Sequence, residues 1–293
     1  MLAVAIAQPA VFGIASGAAI GLVAIGLVLI YKSSRVFNFA AGEFVTVGAF
    51  GLYLGDKSWG LPYPVAMLVG ILAGLVTALL VERMVVRPLA DRPRVTILVA
   101  TAAVATVLIP LELMIGGVKP FPASPAIAGL GLKVLGVYFS PQRAFIVAAL
   151  VLSGLGLAYF FGRTDLGLAT LASSQEPTAS RLVGIRLNRI SMLTWGAAGL
   201  LGGLAGVLLT PLTSSFAAGY GTTGVLISAF TAAVLGGMTS IPGAFLGGIL
   251  VGLVQTFAQF DLNKVSGSPD LAILVVLVGV LLVRPTGLLG KEA

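Results

Sequence analysis

The sequence has no cysteine and no histidine among its 293 residues, and only 9% of it is charged. Without cysteine there is no disulfide framework and no thiolate chemistry. Without histidine as well, the usual zinc and haem ligands are missing, and acid/base catalysis loses its commonest side chain. Neither a cofactor, a metal nor an enzymatic activity is expected. The charge amounts to 17 Lys or Arg against 10 Asp or Glu, whereas a soluble domain is roughly a quarter charged. What the chain has in quantity is apolar side chains, 58%, and glycine, 39 residues. At about 20 residues per crossing this stocks roughly eight or nine membrane spans. Composition therefore places the chain in a lipid bilayer as a single transmembrane domain, 1–293. A net charge of +7 in a soluble domain would suggest nucleic acid. In a spanning protein Lys and Arg gather on the cytoplasmic side, so no nucleic-acid partner is expected.

The first charge is Lys32, and no basic stretch precedes the leading apolar run, which argues against a cleaved signal peptide. The apolar windows predict spans near 9–30, 36–55, 62–81, 95–117, 143–162, 191–212, 223–238, 240–260 and 270–286. The seventh is short and reads as a half-helix or re-entrant segment, tolerated at membrane depth only when protein or a cavity surrounds it. The fold class expected is all-α, a polytopic bundle of about eight to ten spans with interrupted helices. With the N-terminus outside, the inner segments hold Lys32, Arg35, Arg83, Arg87, Arg92, Arg94, Arg163, Arg181, Arg186, Arg189, Arg284 and Lys291. The outer segments hold only Lys57, Lys119, Lys133, Arg143 and Lys264. That asymmetry predicts N-terminus out and C-terminus in, at a cell membrane.

Helices in lipid associate by close backbone approach at small residues, and glycines recur here at four-residue spacing. They are Gly13, Gly17 and Gly21, then Gly70 and Gly74, Gly199 and Gly203, Gly202 and Gly206, Gly243 and Gly247, and Gly248 and Gly252. Such spacing says bundle without saying transporter. Three places look like broken helices. The first, residues 36–43, sets Asn38, Gly42 and Glu43 inside an apolar span. Counted from Arg35 at helical rise, Glu43 lies about 12 Å in, near the midplane of a roughly 30 Å core. A charge there costs about 2.5–3.5 kcal/mol, which must be offset. Glu43 either lines a translocation path or is a structural carboxylate capping amides at the break. The second is Ile109-Pro110-Leu111-Glu112, where proline removes a backbone donor. Glu112 is expected near the outer edge, free to snorkel, at a different depth from Glu43. The third, residues 236–243, carries Gly237 and Thr239 and reads equally as a tight reversal or a substrate-side loop.

The longest polar stretch on the inside, residues 163–189, has helical signals of its own. Ser173 and Ser174 can cap, Pro177 fits a first turn, and Gly184 suits a left-handed stop. Ala179, Leu182 and Val183 fall on one side and Arg181 elsewhere. This small apolar face suits docking of a soluble partner or, alternatively, an interfacial helix lying on headgroups.

At these residues the sequence resembles the LivH-type permease, the first permease subunit of branched-chain amino-acid ABC importers. Residues 21–44, GLVAIGLVLIYKSSRVFNFAAGEF, are similar to its amino-terminal signature, in which an ALGL.LIYG run precedes NFAHGE. LASSQEPTASRLVGIRLNRI (171–190), GAAGLLGGLAGVLLTP (196–211), AAVLGGMTSIPGAFLGGILVGL (232–253) and VRPTGLLG (283–290) follow in the family's order. The sequence departs from the pattern at Lys32, usually glycine, at Ala41, often histidine, and at Pro177 within the loop. The resemblance implies the ABC importer permease fold and pairing with a second, LivM-like permease subunit. It further implies two cytoplasmic ATPase subunits and an extracytoplasmic solute-binding protein. Glu176, Ala179, Leu182 and Gly184 would then belong to the coupling helix that docks on the ATPase, within a coupling loop 163–190. The translocation-path candidates are Asn38, Gly42, Glu43, Gly237 and Thr239.

No Gly-x-x-x-x-Gly-Lys-Ser/Thr phosphate loop occurs, so an ATPase must be a separate protein. Alternatives are a permease for urea, short amides or another amino acid, and an ion-coupled secondary transporter. The latter calls for buried ionisable residues as ion sites, and the chain offers only Glu43 and Glu112.

Overall fold

The computed structural model describes residues 2–123, 131–134, 137–213, 215–262, 265, 267–284 and 286–290. Eleven α-helices are found among them: α1 (Leu2–Ser34), α2 (Ala41–Tyr53), α3 (Tyr63–Val81), α4 (Arg94–Gly116), α5 (Pro141–Arg163), α6 (Asp165–Gln175), α7 (Pro177–Leu182), α8 (Leu187–Thr213), α9 (Leu226–Gly236), α10 (Ile241–Asp261) and α11 (Ser268–Val283). Six segments are long and apolar enough to cross a membrane, Ile6–Ser34, Tyr63–Leu89, Arg94–Gly116, Pro141–Arg163, Leu187–Thr213 and Ile241–Asp261. Two shorter apolar helices, Gly221–Gly236 and Ser268–Val283, and the short α2 complete an all-α bundle of the expected size. Among the described residues, sheet is confined to two-residue pairing of Phe121–Pro122 with Ser215–Phe216 and a small hairpin, Leu132–Val134 with Val137–Phe139.

The helix α1 is apolar on every side, the pattern of a helix surrounded by protein, and it packs on α5, α8, α9 and α10 at the centre of the bundle. Its glycines make that approach possible. A Cβ on Gly17 would stand 2.6 Å from the Gly248 carbonyl oxygen, and one on Gly252 would strike the Gly17 backbone. The same device joins α3 to α8, where a Cβ on Gly74 would lie 2.7 Å from the Gly199 oxygen. It also joins α2 to α8, where a Cβ on Gly48 would lie 2.6 Å from the Gly203 oxygen. With little hydrophobic drive between helices in lipid, such backbone contact is what holds them. Phe44 and Trp195 fill the α2–α8 core edge to face, their ring centroids 6.4 Å apart.

Two expectations change. Pro110 does not break its helix; α4 runs through it to Gly116, because neighbouring groups in a bundle tolerate the one missing donor. The span expected at 36–55 begins only at Ala41 and ends in a π-helical turn, Leu54–Ser58. Residues 35–40 enter the bundle as non-helical chain.

The two ends of the bundle differ. At one, Phe50, Tyr53, Phe121 and Phe216 form an aromatic plug. At the other lie the arginine-rich segments. Arg87 follows the π-helical turn Glu82–Val86 and reaches the Asn188 carbonyl oxygen at 3.5 Å, so the loops 82–94 and 163–189 share this basic end. Ser33 and Thr194 are bonded there at 3.0 Å. The C-terminal segment also returns to it, Leu288 and Leu289 donating to the carbonyl oxygens of Leu235 and Gly236.

Candidate functional site

The break between α1 and α2 is built from its polar residues. The Ser33 and Ser34 hydroxyls donate to the Ile30 carbonyl at 3.0 and 2.8 Å as α1 ends. Arg35 then takes a left-handed backbone, φ 55°, uncommon without glycine. Asn38 Oδ1 accepts from the Ala40 amide at 2.9 Å, a local Asx turn, while the Phe39 amide donates to Thr101 Oγ1 at 3.2 Å. The chain thus reaches the level of Thr101, two turns into α4 from Arg94, before α2 begins. Phe37 and Phe39 pack on Phe230 and hold that entry in place.

Glu43 sits in the first turn of α2 with no exposure. A helix N-terminus favours a carboxylate, yet no described group donates to either Glu43 oxygen within hydrogen-bond geometry. What faces it is the carboxyl of Glu112. Glu112 is only 5% exposed and its Oε2 accepts from the Gly219 amide at 2.9 Å. This corrects the expectation of a snorkelling Glu112 at another depth: α4 stays helical past Pro110 and turns Glu112 inward, onto the late-starting α2. Two buried carboxyls that face each other repel when both are charged.

Around this pair the α9 entrance is tied to α2. Gly219 has φ 71°, and the π-helical turn Gly221–Val225 follows it. The Gly221 amide donates to Thr46 Oγ1 at 3.0 Å. A Cβ on Gly42 would stand 2.5 Å from Thr222 Oγ1 and 2.6 Å from its Cα, so only glycine fits between the two elements. Asn38 Nδ2 and Thr222 Oγ1 are buried without a hydrogen-bond partner among the described groups. Asn38, Gly42 and Glu43 therefore share one buried polar junction of α2, α4 and the α9 entrance.

Gly237 and Thr239 lie elsewhere. Gly237, φ 98°, ends α9 against the backbone of Gly287 and Gly290. Thr239 lines a groove of about 920 Å³ between α1, α5 and α10, a groove whose lining includes none of Asn38, Gly42, Glu43 or Gly237. Ser240 Oγ accepts from the Gly243 amide at 3.1 Å and caps α10. The five path candidates are thus placed in two regions.

The 163–190 region forms α6 and α7. Thr164 caps α6, its Oγ1 accepting from the Gly167 amide at 3.0 Å; Ser173 and Ser174, expected to cap the helix that Pro177 opens, instead lie within α6, where the buried Ser173 bonds to the Thr170 carbonyl, and Glu176 stands at the N-cap of α7 without a side-chain cap. Pro177 opens the six-residue α7 directly after Glu176. Gly184, φ 87°, stops it, and the Ile185 amide closes back on the Ser180 carbonyl at 2.9 Å. Ala179 is exposed beside Leu182 and Val183, which are 85% and 77% exposed.

Three contributors escaped the sequence reading. Thr46 is marked only by its i, i+3 spacing from Glu43. The Gly219–Gly221 pair is marked by the run GYGTTG. The Glu82–Arg87 ion pair, 2.9 Å with Glu82 at 1% exposure, is marked by opposite charges five apart where a spanning helix ends.

The family described as branched-chain amino acid transport system / permease component matches residues 10–284. The chain is 30% identical over 298 residues to the high-affinity branched-chain amino acid transport system permease protein BraD of Pseudomonas aeruginosa, covering 97% of this chain and 95% of that one. It is 28% identical over 308 residues to the corresponding LivH protein of Escherichia coli, covering 95% and 94%. Among solved structures, PsaBC from Streptococcus pneumoniae in complex with Fab shares the fold, with a TM-score of 0.52 at 14% identity over 96% of this chain and 92% of that chain.

Proposed function

The chain belongs to the family of branched-chain amino acid transport permease components, and from that premise we propose that it forms one half of the membrane path of an ATP-driven importer for a branched-chain, hydrophobic amino acid. A second, LivM-like permease supplies the other half, two cytoplasmic ATPase subunits supply the energy, and an extracytoplasmic solute-binding protein delivers the substrate. The basic end of the bundle faces the cytoplasm, with the N-terminus outside and the C-terminus inside, as Lys and Arg distribution favours. All of 1–293 acts as one permease domain, with 163–190 as its coupling loop.

The observation that carries the coupling part is the apolar tip of α7. Leu182 and Val183 stand almost fully exposed at the basic end, on a turn fixed by Pro177 and Gly184. Exposed leucine on a rigid turn gains its burial only from a partner. Glu176, Ala179, Leu182 and Gly184 form that contact. For the path, the apolar faces of α3 and α4, with Leu68, Leu72, Val76, Val99 and Val107 uncovered, await the second permease, and an aliphatic wall suits an aliphatic side chain. Asn38, Gly42 and Glu43 stand behind α4 as the polar element of that path. Gly237 and Thr239 shape its inner mouth, where the C-terminal segment docks.

The test is reconstitution in vesicles with the second permease, both ATPases and the binding protein. ATP hydrolysis rises when the binding protein carries leucine, isoleucine or valine, and labelled amino acid accumulates inside. Stimulation by urea or short amides in their place would reassign the substrate. Uptake that persists without ATP and collapses with the ion gradient would replace the reading by ion-coupled transport.

A further inference from the structure

We propose that the groove between α1, α5 and α10 is a binding site for one anionic phospholipid of the leaflet at the basic end. The groove encloses about 920 Å³ and no Asp or Glu lines it. Lys32 and Arg35 line its basic end together with Gln175 and Ser240. Both cations are half-buried and close enough to repel each other, and neither is in an ion pair with a carboxylate among the described residues. Arg35 is held there by its left-handed backbone and by the Tyr31 ring, 6.0 Å from its guanidinium carbon. Two adjacent cations in a low-dielectric wall call for a counter-charge, and no carboxylate among the described residues supplies one.

The rest of the groove selects the kind of anion. Away from the cations its walls are aliphatic and aromatic, with Ile25, Val151, Leu155, Phe245 and Leu246. The α5 wall from Val151 to Phe161 is about 15 Å long at helical rise, half of a roughly 30 Å hydrocarbon core. Charge at the membrane edge and one leaflet's depth of apolar wall match a phosphate headgroup with its acyl chain beneath it. Lys32, which departs from the family's usual glycine, is one of the two groups that create the charge. The inference needs only the membrane location of the chain and is independent of substrate and of ATP coupling.

The full-length chain is equilibrated in mixed micelles holding equal phosphatidylglycerol and phosphatidylcholine, delipidated with detergent, and weighed with its retained lipid by native mass spectrometry. Phosphatidylglycerol is retained in preference by about tenfold or more, as two cations near an anionic headgroup imply. Lys32→Gln with Arg35→Gln brings the ratio to about one, the value without those two cations. Leu155→Trp keeps both charges but fills the apolar wall, and because Leu155 is 63% exposed the change spares the core; it lowers phosphatidylglycerol retention severalfold. Equal retention of the two lipids by the unaltered chain overturns the proposal. So does a preference that survives both variants. Displacement of the lipid by millimolar inorganic phosphate also overturns it, because the site would then hold a soluble anion.

Discussion

Glu112, on α4, faces Glu43 at the start of α2 while its Oε2 accepts the Gly219 amide at 2.9 Å. One side chain thereby joins three elements that are far apart in sequence. Glu112→Gln keeps an oxygen for Gly219 and offers an amide donor to Glu43, so its thermal midpoint in detergent stays near that of the unaltered protein. Glu112→Leu strands the Gly219 amide, at about 1–3 kcal/mol for a buried group left unsatisfied, and the midpoint falls by several degrees. Equal midpoints for the two variants would show that the junction contributes no stability.

Glu43 separates structure from transport. Glu43→Gln preserves volume and hydrogen-bonding capacity beside Glu112, so the protein assembles with its partners, yet uptake by the reconstituted complex drops at least severalfold. Glu43→Leu removes the polar partner altogether and lowers both assembly and uptake. Full uptake by the Leu variant would remove Glu43 from the path.

The glycines divide by what surrounds them. A Cβ on Gly252 would strike the backbone of Gly17 in α1, so Gly252→Ala forces the central helix away from α10 at about 1–3 kcal/mol, the usual range for overpacking. Gly279, on α11, meets nothing within 4 Å, and Gly279→Ala leaves the unfolding midpoint unchanged or slightly raised. Comparable loss at both positions would show that the α1–α10 seam is not governed by backbone approach.

The bundle was legible because its causes are local. Uncharged runs of span length, Gly-xxx-Gly spacing, the Pro177 start and the Gly184 stop each carry their own physical signature. Glu43 and Asn38 also announced themselves, since a carboxylate and an amide inside an apolar run have few explanations. Their surroundings did not. That Glu112 turns inward depends on α4 continuing through Pro110, and that Thr101 receives Phe39 depends on how far residues 35–40 reach before α2 starts. The Lys32 and Arg35 groove was equally hidden, because its far wall comes from α5 and α10, more than a hundred residues away. Tertiary apposition decided each of these, and a single chain pattern does not encode it locally.

Arg87 and Glu82 lend themselves to a double-mutant cycle. Glu82 is buried at 1% exposure and receives three contacts from Arg87, the shortest 2.9 Å. Arg87→Gln leaves that carboxylate without its cation, and breaking one side of a buried pair costs about 3–5 kcal/mol. The double variant, Arg87→Gln with Glu82→Gln, removes the charge as well and recovers most of the loss. Arg87 also reaches the Asn188 carbonyl at the start of α8, so under the proposed coupling role of 163–190 the single variant also lowers substrate-stimulated ATP hydrolysis. Additive effects of the two single changes would mean that the ion pair is not what holds the loops together.

The α7 tip makes the sharpest prediction for energy transfer, because its side chains contribute almost nothing to the isolated fold. Leu182 is 85% exposed and Val183 77%, so Leu182→Asp leaves the unfolding midpoint of the chain within about a degree, the usual effect of a surface change. If α7 docks on the ATPase as proposed, the same substitution places a carboxylate where a leucine would be buried. Losing the burial of one leucine alone is worth about 1.5–3 kcal/mol, roughly a ten- to hundredfold loss of affinity for the ATPase subunits. Pull-down of the ATPases therefore fails and substrate no longer stimulates hydrolysis. Leu182→Met, which conserves volume and apolarity, restores both. Stimulation that survives Leu182→Asp would move the energy-transducing contact to another surface of the basic end, with the loop 82–94 next to be probed.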